Sequence, residues 1–176
     1  NISGEKELIT KFLDLVKSQE FLGYAYDGAE ASFELLARRK FSKFKEFYSL
    51  ENFRVTDEKR QNNDGELNPF SEATVKIFVG NKEFLSSSKG SGPINALDNA
   101  LRNALIQFYP SLKKLNLIDY KVRILTPKDG TKALVRVRIE SSNDTINWST
   151  IGVSNNVVDA SYIALHDSIT YHLLKS

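Results

Sequence analysis

The sequence predicts an α+β fold: a small N-terminal helical linker followed by two pseudo-symmetric β-β-β-α units, each an antiparallel three-stranded sheet backed by a helix. The first observation behind this prediction is a pattern that occurs twice. A strand-like run passes through a short turn, at Gly90 and again at Ser154, into an amphipathic helix. The second is the alternation of apolar and polar residues ahead of each helix, which is typical of half-buried strands.

The two halves correspond at an offset of 64 residues. At this offset the small and branched apolar residues of the two helices coincide, pairing Ala96 with Ala160, Ala100 with Ala164, Leu101 with Leu165, and Leu105 with Ile169. A duplicated strand–turn–helix unit predicts two equivalent helix N-termini. We place the linker at residues 1–47 and the duplicated domain at 48–176, with repeat one at 48–110 and repeat two at 117–176.

The linker is predicted to contain two helices that form a short antiparallel pair. The first, Glu5–Lys17, is predicted from a single apolar stripe, and Gly23 is expected to end it; the stripe is Leu8, Ile9, Phe12, Leu13 and Val16. The second, Asp27–Lys40, has Asp27 as a candidate N-cap and Glu30 at the third helical position. Its apolar face is expected to be Ala29, Phe33 and Leu36.

Repeat one begins with a strand at Phe53–Thr56, and a polar, asparagine-rich loop over Asp57–Phe70 follows it. A half-buried strand is predicted from the alternation of Ala73, Val75, Ile77 and Val79, and a further strand at Glu83–Ser87. The helix is expected to run from Pro93 to about Phe108, since proline suits the first helical turn. Its apolar stripe is Ile94, Leu97, Leu101, Ala104, Leu105 and Phe108.

Repeat two follows the same order. Its strands are predicted from the alternations Tyr120, Val122, Ile124 and Ala133, Val135, Val137, Ile139, separated by a turn at Pro127–Gly130. A third strand, Ile146–Ile151, carries Trp148. The last helix, from Val157 to about Leu174, is predicted to start with Asn156 as N-cap and to bury Val158, Tyr162, Leu165 and Ile169.

Composition excludes several classes of protein. A net charge of +2 gives no global field that favours nucleic acid or an anionic membrane. No apolar run approaches the roughly 20 residues that span a bilayer, and no signal peptide is visible. The lack of cysteine excludes disulfides and thiolate sites and fits a cytoplasmic protein. Because the chain has no methionine, we expect it to be part of a longer polypeptide.

The sequence contains no convincing arrangement of catalytic side chains, and we expect no catalytic residue and no metal site. His166 and His172 stand six apart in one helix, so they lie on different faces and cannot form a metal pair; each is expected to be at the surface or partly buried. No serine lies in a nucleophile elbow, and no acid–base pair is evident.

The segment Gly90-Ser-Gly-Pro93 is the candidate binding element. The first N–H groups of a helix have no internal partner, and glycines allow a ligand to approach the backbone closely. Without a Walker lysine, an amino acid fits better than a nucleotide, with its side chain against Tyr120, Ile124 and Ala133. The alternative is that this segment is only a tight strand-to-helix turn.

The run Arg38–Lys45 is basic and interleaved with phenylalanine. It could contact nucleic acid or coenzyme phosphates. We favour a solvated helix end whose phenylalanines enter the core, with lysines stabilising the helix dipole.

Two segments resemble a known family. Gly90-Ser-Gly-Pro-Ile-Asn-Ala-Leu97, together with the segment Trp148–Ile169, resembles the C-terminal regulatory domain of the α-isopropylmalate synthase, citramalate synthase and homocitrate synthase family. Tyr24-Ala-Tyr-Asp-Gly-Ala-Glu-Ala-Ser-Phe-Glu-Leu-Leu36 is similar to the helical linker before that domain, particularly in the citramalate branch. The resemblance runs from about Glu5 to Leu174, and residues 57–68 have no counterpart in it.

The resemblance implies a homodimeric, non-catalytic domain that binds a branched-chain amino acid end product, isoleucine or leucine, for feedback inhibition. Acetyl-CoA, a 2-oxo acid and a divalent metal would act in a catalytic barrel of the same polypeptide that this sequence lacks. The effector site would lie where the two subunits' domains meet. By motif it would include Gly90, Ser91, Gly92, Pro93, Ile94, Asn95, Asp119, Tyr120, Ile124, Ala133, Val157 and Val158. A leucine-responsive 2-isopropylmalate synthase domain, or a module that only dimerises, remain the alternatives.

Overall fold

A computed structural model describes the backbone of residues 2–176 and the side chains from residue 6 onward; residue 1, where the predicted linker begins, lies outside the described residues. Its helices and strands, numbered in chain order, are α1 (Ile2–Phe21), α2 (Glu30–Phe41), β1 (Ser49–Gln61), β2 (Leu67–Val79), β3 (Lys82–Gly90), α3 (Pro93–Leu105), β4 (Asn116–Ile124), β5 (Val135–Ser142), β6 (Asn147–Ser154) and α4 (Val157–Lys175). Short 3-10 turns occupy Pro110–Lys114 and Pro127–Lys132. The predicted α+β class is confirmed.

Each repeat forms one antiparallel sheet, with strand order β1-β2-β3 in the first and β4-β5-β6 in the second. The chain divides into two compact units. One combines the chain up to Lys45 with Asn116–Tyr171, and the other combines Glu46–Leu115 with His172–Ser176. The linker helices therefore belong to the same unit as the sheet of repeat two. The predicted domain boundaries stay a prediction.

The residues that define the repeat form the core of each half. All eight residues matched at the 64-residue offset are at most 1% exposed. In the first sheet, the β2 residues that alternate toward α3 are also fully buried: Ala73, Val75 and Ile77. In the second, Val137, Ile139 and Trp148 are buried likewise. Burial of these side chains is the main force that holds each helix on its sheet.

Two glycines set the distance between each sheet and its helix. A Cβ at Gly90 would lie 2.3 Å from the backbone N of Ala96, and one at Gly152 would lie 2.0 Å from the backbone O of Ala160. Both contacts fall on equivalent helix residues, Ala96 and Ala160, although the two glycines occupy different positions in the repeat. Gly90 is therefore required for packing, whereas a Cβ at Gly92 would meet nothing within 4 Å.

The segment Asp57–Phe70 is not a loop, as predicted, but a two-stranded arm. β1 continues to Gln61, and β2 pairs with it from Leu67 onward, while β3 pairs only from Ser71. Asn62 closes the arm, its Oδ1 accepting from the N–H of Asp64 at 3.0 Å and of Glu66 at 2.8 Å. Most of the side chains of this β1–β2 arm (residues 57–70) are exposed, so the alternating pattern that identifies a strand is missing from the sequence.

The second linker helix begins later than predicted. α2 starts at Glu30 with Ala29 as N-cap, so Asp27 is not its cap and Glu30 occupies the first helical position. Gly28, at φ 73°, turns the chain just before it. The buried face is Ala31, Ser32 and Leu35, and the predicted Phe33 is exposed. Of the predicted face, Ala29 is buried and Leu36 is half-buried, so the prediction is wrong only at Phe33; it also missed Ser32, which is polar but faces the interior, where it is hydrogen bonded.

The first linker helix extends beyond the prediction to Phe21. Gly23, at φ 102°, ends it as predicted: its N–H donates to Glu20 O at 2.9 Å and Tyr24 N–H donates to Gln19 O at 3.1 Å, a Schellman motif. The ring of Phe12 contacts α2, but the rest of the predicted stripe is largely exposed; Leu8, Ile9 and Leu13 are each about half exposed. No helix among the described residues has the length and apolar character required to cross a membrane.

The close approach of strand and helix at Gly90 can be tested with a matched pair of variants. We expect Gly90→Ser to destabilise the chain by about 2 kcal/mol, because the new side chain overlaps backbone atoms of α3 that cannot move independently. Gly92→Ser introduces the same atoms into open space at an N-cap that favours serine, so its effect should stay within about 0.5 kcal/mol. Urea unfolding measures both, and equal stability of the two variants would contradict the packing role of Gly90.

Candidate effector site

The helix start of repeat one is open at its N-terminus. Gly92 is the N-cap of α3 and, lacking a side chain, makes no capping hydrogen bond. The side chain of Asn95 instead bonds the turn before the helix: its Oδ1 accepts a hydrogen bond from Ser91 N–H at 3.1 Å. Within the described residues, the N–H groups of Ile94 and Asn95 therefore point from the helix end without a side-chain acceptor. Such groups, at the positive end of the helix dipole, favour an anion.

The equivalent helix start in repeat two is closed by its own side chain. Asn156 Oδ1 accepts from Val158 N–H at 2.8 Å and from Asp159 N–H at 3.4 Å, so the predicted N-cap is confirmed. At one helix start a side chain of the chain itself bonds the free backbone N–H groups, and at the other it does not. Gly92 and Asn156, which correspond at the 64-residue offset, account for this difference.

Two of the predicted site residues on β4 already have partners. Asp119 forms an ion pair with Lys121 and accepts from Tyr120 N–H at 2.9 Å. The hydrogen bond from Lys121 lowers the pKa of the Asp119 carboxyl. Tyr120 is half-buried, and its hydroxyl bonds Ser161 Oγ at 2.7 Å, while Ser161 Oγ donates to Val157 O at 2.6 Å. The structure therefore connects Tyr120 to the start of α4.

The predicted apolar wall is partly exposed. Ile124, at the end of β4, is 57% exposed, and Val157, the first residue of α4, is 41% exposed. Val158 is half-buried. Ala133 is buried but does not lie on a strand as predicted: it follows the 3-10 turn, and β5 begins only at Val135. The turn at Gly130, with φ 59°, delays the strand.

The predicted residues fall into two groups. The six residues of the Gly90–Asn95 segment lie in the unit that contains the sheet of repeat one. The other six, from β4 to the start of α4, lie in the unit that contains the sheet of repeat two. Each group is brought together locally, and a joint role in one effector site stays a prediction.

An open cavity of about 500 Å³ lies beside the start of α4. Its wall combines apolar and polar groups: Gln19, Leu22, Tyr24, Leu134, Val153, Ser154, Asn155 and Asn156. The size is within the range of small-molecule pockets. The sequence-based prediction included its neighbours Ala133 and Val157 but missed the part that the linker supplies, although Tyr24 belongs to the segment that resembles the family's linker.

Side chains of the linker close the outer edge of β6. Ser149 N–H donates to Glu30 Oε1 at 2.9 Å, and Ile151 N–H donates to Ser32 Oγ at 3.0 Å. Tyr24 and Val153 line the same cavity. Burial raises the pKa of the Tyr24 phenol, which therefore stays protonated at neutral pH. Two alternate residues of the edge strand, Ser149 and Ile151, thus have partners in α2.

The same region holds a buried carboxylate. Asp167 of α4 accepts from Ser32 Oγ at 2.7 Å and from Arg39 Nη1 at 2.7 Å. We call Glu30, Ser32, Arg39 and Asp167 the α2 network. Ser32 both donates to Asp167 and accepts from β6, so one hydroxyl joins α2, α4 and the sheet of repeat two. A buried carboxylate is tolerated only with such partners.

Both arginines of the basic run Arg38–Lys45 form ion pairs with carboxylates. Arg38 pairs with Glu34 at 2.7 Å, and Arg39 pairs with Asp167. Phe41 is exposed, so the expectation that the phenylalanines of this run enter the core is wrong at that position. Arg39 instead acts in the α2 network.

The histidines offer no metal site in the described part of the chain, since residues 6–176 contain no group of three His, Asp or Glu side chains that could hold a metal ion. His172 is buried rather than at the surface, with Nε2 3.0 Å from Ser111 O. Because a carbonyl only accepts, Nε2 carries the proton there. Burial lowers the pKa of His172 and keeps it neutral.

We expect Ser32→Ala to lower the free energy of unfolding by about 1–3 kcal/mol, because it leaves the Ile151 N–H and one oxygen of Asp167 without a partner. Ser18→Ala is the matched control, since the Ser18 hydroxyl is exposed and bonds only Leu15 O within its own helix. Thermal unfolding of both variants measures the effect. A loss for Ser32→Ala no greater than for the control would show that the network contributes little.

Comparison with known proteins places these features in context. Residues 27–173 match a protein family described as the LeuA allosteric (dimerisation) domain. The (R)-citramalate synthase of Geobacter sulfurreducens is 50% identical over 166 residues, which cover 94% of this chain and 31% of the relative. That of Aquifex aeolicus is also 50% identical, over 95% of this chain and 31% of the relative. A 2-isopropylmalate synthase of Aquifex aeolicus is 32% identical over 61% of this chain and 19% of the relative. The chain spans about a third of the citramalate synthases it matches.

Proposed function

The chain belongs to the LeuA allosteric (dimerisation) domain family, and from this premise we propose that it is the regulatory and dimerisation region of a citramalate synthase-like acyltransferase. Its similarity to citramalate synthases covers nearly the whole chain, whereas the similarity to a 2-isopropylmalate synthase is weaker and shorter. Acetyl-CoA, the 2-oxo acid and a divalent metal would bind in a catalytic portion of the longer polypeptide. The region described here would do no chemistry itself.

The ligand we propose is a branched-chain amino acid, isoleucine in the first place. The observation that carries this proposal is the open helix start at Gly92, which contrasts with the equivalent start in repeat two that Asn156 caps. A carboxylate oxygen accepting from the N–H groups of Ile94 and Asn95 would replace the missing cap, as anions do at other helix N-termini. A free amino acid supplies that carboxylate and loses little conformational entropy on binding.

The second group of predicted residues supplies a different kind of surface. Ile124 and Val157 expose aliphatic side chains to solvent, although both lie at the ends of regular elements next to buried core. Contact with the side chain of an effector, or with a second subunit, would remove this apolar surface from water. In the family that the sequence resembles, the effector site lies between subunits.

The α2 network is the part of the structure best suited to carry a signal. It fixes the linker helix to β6 and α4 through buried hydrogen bonds. A displacement of α4 would therefore also displace the linker helix. We propose that effector binding biases the linker in this way and thereby inhibits the catalytic portion. Coupling of this type amounts to about 1–3 kcal/mol.

Two alternatives remain, a leucine-responsive domain of the 2-isopropylmalate synthase type and a module that only dimerises. They differ from the leading proposal in a simple observable, because a ligand that binds only the native state raises its stability by RT ln(1 + [L]/Kd).

We expect isoleucine at about a hundredfold excess over Kd to raise the melting temperature by about 5–10 °C, with leucine and valine at equal concentration giving less. Gly92→Ser should abolish the shift, because its hydroxyl occupies the N–H groups that the carboxylate needs. Ile124→Asp should weaken the shift, whereas Ile146→Asp, at another exposed isoleucine in the β5–β6 turn, should not. Differential scanning fluorimetry provides the measurement.

A shift with leucine alone would identify the 2-isopropylmalate synthase type. No shift with any of the three amino acids would contradict the effector proposal and leave dimerisation. A full shift in Gly92→Ser would show that an amino acid binds, but not at the start of α3.

A further inference from the structure

One face of the sheet of repeat two is turned away from α4. Tyr120 and Ile139 lie directly opposite each other on β4 and β5, and the Tyr120 hydroxyl bonds Ser161 of α4, so this pair faces the helix. Side chains alternate between the two faces of a strand. The neighbours of Tyr120 and Ile139 along their strands, and every second residue beyond them, therefore lie on the opposite face, which we call the outer face.

The outer face carries like charges opposite one another. The antiparallel register pairs Lys121 with Arg138 and, in the next row, Arg123 with Arg136. Lys121 forms an ion pair with Asp119, so the first of these rows has a carboxylate beside it. Among the side chains that the structure describes, neither Arg123 nor Arg136 forms an ion pair. Like charges on directly facing residues destabilise a strand pair, so this second row is unfavourable as it stands.

The equivalent row of repeat one is balanced. At the 64-residue offset, Arg136 corresponds to Glu72, which lies opposite Thr56 on β1 and opposite Lys89 on β3. An acidic residue therefore faces a basic one there, which is the favourable arrangement. The facing arginines are a feature of repeat two and are not required by the fold that the two repeats share.

The two guanidinium groups of this row are held differently. Arg136 is half-buried, and its Nε donates to Gly23 O at 2.6 Å, in the turn that ends α1. Burial lowers the pKa of Arg136, and the charge of Arg123 lowers it further. Within residues 6–176, the Nη groups of Arg136 and the exposed guanidinium of Arg123 have no acceptor. Because arginine stays charged at neutral pH, the row presents two positive charges, one of them fixed in position.

We propose that Arg123 and Arg136 together bind a phosphate group of a small ligand, on the outer face beside the linker. Guanidinium groups bind phosphate oxygens bidentately, and this pair offers more N–H donors than the two oxygens of one carboxylate can engage. A bound dianion would also remove the repulsion within the row. The carboxylates of Asp119 and Glu140, on the same face, lie four residues away along their strands, about 13 Å, and leave room for it.

This site is separate from the residues proposed to bind an amino acid. Ile124 follows Arg123 but lies on the face of the sheet that α4 covers, because side chains alternate along the strand. The helix start at Gly92 belongs to the other compact unit. The inference therefore goes beyond the proposed function and does not depend on it. Through Arg136, a bound phosphate would be connected to the linker turn at Gly23.

Titration calorimetry of the whole chain at constant ionic strength tests the site, with inorganic phosphate, glucose 6-phosphate and malonate as probes. We expect both phosphates to bind with a Kd of about 1 mM or lower, and malonate at least tenfold more weakly. Arg123→Gln should weaken phosphate binding at least tenfold. Arg54→Gln is the matched control, because Arg54 is an exposed strand arginine that faces Thr74, and it should bind phosphate like the original chain.

The facing arginines also allow a prediction that needs no ligand. In phosphate-free buffer, Arg123→Gln should raise the melting temperature by about 1–3 °C, because the repulsion from Arg136 disappears. Arg123→Glu should raise it further, since it places an acid opposite Arg136, whereas Arg54→Gln should not raise it. Phosphate stabilises proteins in general by exclusion from their surfaces. Only the part of its effect that is absent in Arg123→Gln reports on the site, and differential scanning fluorimetry measures it.

The outcomes distinguish the possible ligands and the two proposals. Tighter binding of glucose 6-phosphate than of phosphate would identify a phosphorylated organic ligand, and the reverse would identify free phosphate. Malonate binding as tightly as phosphate would overturn the assignment to phosphate. No heat with either phosphate, or equal affinity in Arg123→Gln, would overturn the site itself. The isoleucine shift should persist in Arg123→Gln; its loss there would place the arginines in the effector site and contradict a separate one. Failure of isoleucine to bind the original chain would leave the phosphate result unaffected.

Discussion

The close approach of strand to helix at Gly90 and Gly152 is the constraint on which both halves of this fold depend. A three-stranded sheet covered by a single helix has a small core, so the two layers must approach closely to exclude water. Glycine on the strand and alanine on the helix provide that distance in both repeats.

The two repeats share a backbone plan but differ at their boundaries. Asn156 completes one helix start, while Gly92 leaves the other open. Side chains of the linker close the edge of β6, whereas at the end of β3 it is Asn99 of α3 that donates to Lys89 O at 3.1 Å. These differences distinguish a helix start that its own side chain caps from one that has no side-chain cap among the described residues. An anion is the partner whose chemistry fits the open helix end.

The sequence predicted this architecture well wherever periodicity reflects burial. The matched alanines and leucines of the two helices are all buried, and Pro93, Asn156 and Gly23 mark the helix ends as expected. It failed where side chains serve tertiary contacts instead of local patterns. Ser32 is polar in sequence but faces the interior, and the charged residues of the β1–β2 arm conceal a strand because most of them are exposed. The linker's part in the cavity beside α4 depends on contacts between distant residues, which no local pattern reveals.

The α2 network also has a consequence for how the linker can move. Ser32 is shared by a strand N–H and a buried carboxylate, and Arg39 holds the other oxygen of that carboxylate. A partial displacement of α2 would break these bonds together and leave a charge in an apolar setting, so intermediate positions are unfavourable. We therefore expect α2 to be either attached to β6 and α4 or released from both. A gradual increase in a stimulus would then produce a stepwise response.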